Sequence, residues 1–366
     1  MPCRAAAAVL KRRENPMIRA AVIGLSEAGR EHAQAYRADP LAELVGVCDG
    51  DPGRAVDPAN PSAAPAFAGV ADLLAAARPE LCTIWTPLPG RAGDIHAALE
   101  ASVHVLAALP LTDDPIASKE LVALARRNQR VLAADFHLRF APAVEKARAW
   151  LAAGEVGSPL FINLNLWTHG VERPGGTFDL FRNLGAHGAD MMRLFGGDVA
   201  RVQCFGTKAP GRASWSSLQV NMQFESGAVG TLTTSYDMVV CHPMARLEMA
   251  GTRARFVIEN VYEEATLYVH AEEEKRVVTN SIFGGIPQLK ETYARRIHRL
   301  LEQIAAGTAP EAIDGGAEDA LAAARIMEAA IASLDNETVV DVRRTGASTG
   351  SSPSSEALVA SSGGDQ

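Results

Sequence analysis

No stretch of the chain approaches the roughly 18 consecutive apolar residues that a membrane-spanning helix requires,. Ala5–Leu10 is too short for the apolar centre of a signal peptide and has its basic cluster, Lys11-Arg12-Arg13, on the wrong side,. Paired cysteines are missing too. The five present, Cys3, Cys48, Cys82, Cys204 and Cys241, are scattered and form no C-x-x-C pair, which argues against a disulfide framework and a zinc site and fits a reducing, cytoplasmic compartment,. An excess of positive charge is absent: the formal net charge of −8 lacks the electrostatic footprint that binding a phosphate backbone needs,. Membrane and nucleic acid are therefore poor partners, and a small molecule is the better expectation. No internal repeat is visible.

What is present is ordinary globular material, with 48% hydrophobic and 21% charged residues over 366 positions, enough for two domains of usual size,. Residues 1–16 read as an extension, and Met17, directly ahead of the first good strand, is a possible start. Residues 344–366 are rich in Ser, Gly and Ala and have too few large apolar side chains to offset the entropy of ordering,. Between them, residues 17–140 alternate apolar runs of strand length (Ile18–Ile23, Leu44–Val47, Leu81–Thr86, Val103–Leu106, Val131–Phe136) with helical patterns such as Glu27–Arg37. Strands this uniformly apolar are buried on both faces, so the pattern predicts a parallel sheet covered by helices, a Rossmann-type α/β domain. Residues 141–343 open with a helix near Pro142–Ala153. Runs of alternating polarity follow, such as Leu160–Trp167, Leu218–Phe224, Ala228–Ser235, Ala245–Met249 and Arg255–Ile258, and helical patterns return at Gln288–Ala306 and Ala317–Leu334. This second half predicts an α+β domain around a large, mostly antiparallel open sheet.

The first strand runs into Gly24-Leu25-Ser26-Glu27-Ala28-Gly29, a dinucleotide-binding turn whose middle glycine is replaced by Ser26,. A serine Cβ narrows the approach of a pyrophosphate, although its hydroxyl can donate to a phosphate oxygen. Taken alone, the turn is also that of a tight strand-to-helix connection that binds nothing. Asp49, at the end of the second strand, is placed to accept from a ribose 2′-hydroxyl and to repel a 2′-phosphate, which favours NAD over NADP. Thr86-Pro87 lies where the nicotinamide end would pass, or is a plain strand-terminating turn.

Together these residues, with Gly29-x-x-His32, Cys48-Asp49, Val103-His104-Val105-Leu106 leading to Pro110-Leu111, Arg139-Phe140-x-Pro142, Gly185-x-His187-x-x-Asp190 and Asp314-Gly315 followed by Asp319-Ala320, resemble the Gfo/Idh/MocA oxidoreductase family over about residues 17–343. The resemblance implies a Rossmann domain and an open sheet that serves as substrate platform and subunit interface, hence a homodimer or homotetramer. It implies hydride transfer between NAD(P) and a hydroxyl carbon of a sugar, cyclitol or polyol, with Gly24, Ser26, Glu27, Ala28, Gly29, Asp49, Thr86, Pro87 and Pro110 at the cofactor. The departures are as informative. The family's Glu-Lys-Pro triplet, whose lysine carries the proton, reads Ala108-Leu109-Pro110 here, and the aspartate four residues before the family's histidine is Asn183. Neither leucine nor an amide titrates.

Removing the proton of an alcohol as its hydride leaves calls for a group that titrates near neutrality, and an imidazole does so at about 6.5. His187, at the family's histidine position, is the first candidate; the alternative is a helix-face histidine bonded to Asn183 or Asp190. His137, at the carboxyl end of the Val131–Phe136 run, is the second candidate, or else a supporting residue. Asn183, His169, Asp179 and Arg182 are candidates for contacting substrate, or ordinary loop polar groups. Asp190 lies on the face of His187 with no further ligand at metal spacing, so no metal is expected. Three readings stay open: an NAD-dependent oxidoreductase with a non-standard acid–base group, a dinucleotide-binding sensor without redox activity, and a lyase or cyclase on the same fold. Because neither end offers an apolar face to bury, a chain trimmed to residues 17–344 should keep its melting temperature. A drop of several degrees in calorimetry would show that an end docks on the body.

Overall fold

The computed structural model describes residues 17–55, 64–168, 176–238, 245–260, 263–279 and 289–343. The first part builds β1 (Ile18–Ile23), α1 (Glu27–Ala38), β2 (Ala42–Cys48), α2 (Pro52–Ala55), β3 (Ala66–Phe67), α3 (Val70–Ala77), β4 (Leu81–Ile84), α4 (Leu88–Glu100), β5 (His104–Ala107), α5 (Pro115–Arg127) and β6 (Leu132–Ala134). Its six strands pair in parallel in the order β3-β2-β1-β4-β5-β6, so strand order reverses beside β1 and opens a crevice at the carboxyl edge,. The register brings the strand ends level. Ile23 lies opposite Cys48 and Ile84, Ile84 opposite Ala107, and Ala107 opposite Ala134. Whatever follows those residues in sequence therefore meets at one edge. β6 stops two residues short of the apolar run's end, because the Asp135 N–H still donates to Ala107 O while that of Phe136 turns back to Ala134 O. His137–Phe140 then forms one 3-10 turn.

The second part contains α6 (Pro142–Ala152), β7 (Pro159–Trp167), α7 (Ala186–Gly196), β8 (Val199–Thr207), β9 (Ser217–Phe224), β10 (Val229–Ser235), β11 (Ala245–Gly251), β12 (Ala254–Glu259), β13 (Glu264–Val269), β14 (Lys275–Thr279), α8 (Leu289–Ala305), α9 (Ala317–Asn336) and β15 (Val340–Asp341). Its nine-stranded sheet runs β14-β13-β12-β11-β7-β10-β9-β8-β15, antiparallel except for the β7–β10 pair. Alternation puts Ile162, Leu164, Leu166, Val220, Met222 and Leu232 on the face covered by helices,. The other face carries Asn163, Gln219, Asn221, Thr231 and the exposed Phe205 and Val229. The strands β8, β13 and β14 extend this sheet beyond the runs singled out in the sequence.

α8 returns to the first sheet. Its Ile297, Leu300 and Leu301 are buried with Ala20, Val22, Ala33 and Tyr36, so part of the cover over β1 and α1 comes from far along the chain. A charged network ties the parts together. The guanidinium of Arg139, in the turn after β6, is bidentate on Asp190 of α7, with Nε 2.7 Å from Oδ2, and its Nη1 lies 2.8 Å from Asp314 and 2.9 Å from Asp319,. Arg148 donates to the second oxygen of Asp314 at 2.8 Å, and Arg193 to the second oxygen of Asp319 at 3.0 Å. Burial works against charge at Arg139, but the three carboxylates hold its pKa well above the ordinary arginine value. The arginines in turn outweigh burial at Asp314 and Asp319 and hold both below the usual carboxylate range.

Arg139→Met would strand these carboxylates, two of them partly and one fully buried, and should cost about 3–5 kcal/mol of unfolding free energy. The stabilisation from Asp314 and Asp319 should be complete above their unfolded pKa of about 4 and lost as pH falls through their lower folded values. Denaturant titration of parent and variant at neutral and acid pH checks both; a loss below about 1 kcal/mol at neutral pH would contradict the network's role.

Candidate active site

The turn after β1 demands its glycines. Gly24 has φ +91°, and a Cβ there would sit 2.6 Å from the carbonyl carbon of Trp85; a Cβ on Gly29 would sit 2.0 Å from Gly24 O,. Ser26 takes the middle position at no cost to the helix, because its Oγ accepts the Gly29 N–H at 3.3 Å and caps α1,. The first-turn N–H groups of Glu27 and Ala28 have no intrahelical acceptor, which leaves them for an anion at the helix start. Asp49 accepts the Leu25 N–H at 2.6 Å and the Asp51 N–H at 2.8 Å, one on each carboxylate oxygen. Each oxygen retains a lone pair for a ribose hydroxyl. The close-packed glycine turn, the uncapped helix N–H groups and the anchored carboxylate together suit a dinucleotide.

Further along the edge, Trp85, Thr86 and Pro87 follow β4, and Ala108, Leu109 and Pro110 follow β5. Arg91 joins the two turns: its Nε donates to Thr86 O at 2.9 Å and its Nη1 to Pro110 O at 2.6 Å. Burial pushes this guanidinium down to about 10, still charged at neutral pH. Sequence reasoning passed over Arg91, since nothing in its helical surroundings marks it as a loop clamp. Leu109 is half-buried against the core and lines a cavity of about 30 Å³ with Arg182, Met327 and Glu328.

Beyond β6 the structure gathers imidazoles. His32 of α1 is fully buried, with Nε2 3.3 Å from Asp135 Oδ2. His137 Nδ1 lies 3.2 Å from the main-chain oxygen of Asp135 and 3.5 Å from the same Oδ2. The His137 ring meets that of His187 edge-on at 5.1 Å and that of Tyr293, from α8, at 4.4 Å. Tyr293 also meets the His32 ring at a tilt, 5.1 Å between centres, and Trp85 closes the group 5.6 Å from His32. His187 packs on Phe136 at 5.9 Å, and its Nδ1 has no hydrogen-bond partner among the described residues. Burial and the neighbouring His137 push His187 down to about 3, so it is neutral over the working range. Burial raises the Asp135 carboxyl, but the facing His32 and His137 outweigh it and hold the group well below the carboxylate range.

The sequence drew attention to His137 and His187 and missed Asp135 and Tyr293. A lone aspartate within an apolar run, Leu132-Ala133-Ala134-Asp135-Phe136, was the available signal. The other candidates are less concentrated. Asn183 lies half-buried in a π-turn, Phe181–Gly185, that leads into α7, a local distortion often found at functional sites,. Arg182 Nε donates to Glu328 at 3.2 Å, and Asp179 accepts from the Tyr236 hydroxyl at 2.9 Å. His169 lies outside the described residues. Asp190, one turn beyond His187, belongs to the Arg139 network. A larger groove of about 920 Å³ opens elsewhere, between α1, α6 and α8, away from these strand ends.

Gly29→Ala should abolish dinucleotide binding or force the turn apart, given the 2.0 Å approach. Asp49→Ala should weaken NAD and narrow or remove its preference over NADP. Fluorescence titration with both cofactors decides this, and equal affinities in the parent chain would remove the argument from Asp49.

The oxidoreductase family with an NAD-binding Rossmann fold, GFO_IDH_MocA, matches residues 18–136, and the GFO/IDH/MocA C-terminal domain matches residues 144–257. UDP-N-acetylglucosamine 3-dehydrogenase of Acidithiobacillus ferrooxidans is 28% identical over 238 residues, 63% of this chain and 71% of that protein. Inositol 2-dehydrogenase of Rhizobium meliloti is 24% identical over 347 residues, 89% of this chain and 99% of that one. Levoglucosan dehydrogenase, solved with NADH and levoglucosan, shares the fold with a TM-score of 0.80 at 19% identity, covering 89% of this chain and 99% of its own. No helix among the described residues is long and apolar enough to cross a membrane. With both halves of the chain matched in order, the protein belongs to the Gfo/Idh/MocA family and is an NAD-binding oxidoreductase.

Proposed function

We propose that the protein moves hydride between NAD and a hydroxyl-bearing carbon of a sugar, cyclitol or related polyol, with an imidazole doing the work of the family's lysine. The observation that carries this reading is the contact of His137 and His187 at the carboxyl edge of the first sheet, 5.1 Å between ring centres, in a chain with Leu109 at the lysine position. Bound NAD would supply the hydride acceptor, held by Gly24, Ser26, Glu27, Ala28, Gly29 and Asp49, with Thr86, Pro87 and Pro110 along its nicotinamide end. His137 is the proton acceptor in this reading. Its Nδ1 faces a carbonyl oxygen, which fixes Nδ1 as the donor and leaves Nε2 as the base,. His187, uncharged, is suited to hydrogen-bonding the substrate hydroxyl rather than carrying its proton.

Relatives named for UDP-N-acetylglucosamine and inositol support the substrate class. Asn183, Asp179, Arg182 and His169 are the proposed substrate contacts. Leucine in place of lysine makes the pocket less polar, which favours a substrate less hydroxylated than a free hexose. The uncovered face of the nine-stranded sheet, with Phe205 and Val229 exposed, supports assembly as a homodimer or homotetramer,. The buried free thiols Cys48, Cys82 and Cys204 suit a reducing cytoplasm.

With a polyol that turns over, His137→Asn should lower kcat by roughly 10²–10⁴-fold while NAD affinity stays nearly unchanged. His187→Asn should lose less in kcat and more in KM. Leu109→Lys should not restore a lysine mechanism, since an ammonium there lacks the family's glutamate and aspartate. Full activity in both histidine variants would move the proton elsewhere, and recovery by Leu109→Lys would show that the imidazoles are bystanders.

A further inference from the structure

Asp135 is 1% exposed, and it is not a group that substrate can reach. Groups from four directions nevertheless face it. His32 of α1 and His137 of the following turn converge on one carboxylate oxygen, Oδ2, at 3.3 and 3.5 Å. From α8 comes the guanidinium of Arg296, fully buried, which donates from Nη2 to Ala134 O at 3.0 Å and to Gly315 O at 3.2 Å. Its Nε and Nη1 have no hydrogen-bond partner among the described residues. Tyr36 of α1 and His187 of α7 also lie within reach of the carboxylate's field. An isolated charge in such a site is costly unless other groups compensate it. Here the surroundings supply the guanidinium of Arg296, which burial pushes down to about 10, still charged at neutral pH, and two imidazole rings.

We propose that Asp135 is a positioning residue for proton transfer: it orients His137 and stabilises the imidazolium that forms when the substrate hydroxyl gives up its proton. His32 faces the same carboxylate oxygen from α1 at ion-pair distance, and the two imidazoles together hold the group ionised against burial. The inference rests on the reading of His137 as base. In the step itself, the substrate O–H bond breaks and its proton goes to His137 Nε2, the electron pair left on oxygen forms the second carbon–oxygen bond of the carbonyl product, and the C–H bond breaks with its electron pair leaving as hydride, which bound NAD would accept. Asp135 stays ionised throughout, in keeping with the direction in which its surroundings hold it. A carboxylate behind the ring lowers the energy of the charged imidazole formed in that step and of no species before it, so its effect belongs in kcat. Distances above 3.2 Å to the ring suit a site that tightens when substrate arrives.

The test is Asp135→Asn in the full chain, which keeps shape and removes charge. Hydride transfer to NAD from myo-inositol, levoglucosan and UDP-N-acetylglucosamine would be measured across pH, beside NAD affinity and melting temperature. The expected result is a kcat about 100-fold or more lower, with KM and NAD affinity within about threefold, and an acid limb of the kcat profile moved to lower pH. Asp135→Glu should recover part of the rate. An unchanged profile overturns the assignment, as does a fall in rate that Asp135→Glu does not relieve and that tracks lost cofactor affinity. Histidine nitrogen NMR gives an arm that needs no substrate. The His137 ring signals, identified by their absence in His137→Asn, should shift between the parent and Asp135→Asn, and unshifted signals overturn the proposal. Shifted signals with no hydride transfer from any polyol would support the pairing and count against the dehydrogenase reading instead.

Discussion

The guanidinium of Arg139 sits where the first sheet ends and the second part begins, and the carboxylates it binds come from α7, from the loop before α9 and from the first turn of α9. A buried arginine with this many acidic partners is stable only if all of them arrive together. The turn after β6, the helix bearing His187 and the Asp314-Gly315 loop are therefore placed relative to one another by a single ion. The same loop hydrogen-bonds to β6 through Gly315 O, at 3.0 Å from the Ala134 N–H. Motif residues that look like separate family marks in the sequence are one electrostatic joint in the fold.

That joint matters because the candidate site lies beside it. Register in the parallel sheet brings Gly24, Asp49, Thr86, Leu109 and Asp135 to one edge. Arg139 follows Asp135 by one turn, and Asp190 follows His187 by one turn on the same helix. Fixing Arg139 against Asp190 brings the His137 and His187 rings into contact. In this chain Leu109 follows β5 beside Pro110, and the joint holds His137, His187 and Asp135 together near the end of the neighbouring β6. Leu109 and the buried carboxylate of Asp135 thus lie at neighbouring strand ends, two residues beyond β5 and one beyond β6.

Much of the fold was legible in the sequence, for a physical reason. Strands buried on both faces leave unbroken apolar runs, and β1, β2, β4 and β5 lie where those runs are. The half-exposed strands β7, β9, β10, β11 and β12 kept their alternation. β8, with Arg201 and Gln203 among its apolar residues, and β14, mostly exposed, gave weaker signals. The candidate site was legible only in part. His137 and His187 could be named because imidazole is a natural substitute for a missing lysine. Asp135, Tyr293, Arg91 and Arg296 could not, since each takes its meaning from packing that the fold creates: Arg91 bridges two strand-end turns, His32 reaches Asp135 from α1, and Tyr293 and Arg296 approach from α8, more than a hundred residues after β6. The titration of His187 was also hidden, because a pKa near 3 is a property of its packing and not of its neighbours in the chain.

The account stands or falls on whether cofactor bound at this edge is reduced. A single-turnover experiment, with the full chain saturated in NAD and mixed with a panel of cyclitols, anhydro-sugars and nucleotide-linked sugars, reads this from the absorbance of reduced nicotinamide. The account predicts that at least one compound gives close to one equivalent of NADH per chain, formed faster as pH rises. It would be contradicted by a chain that binds NAD tightly yet neither reduces it with any member of the panel nor oxidises NADH with the corresponding ketones.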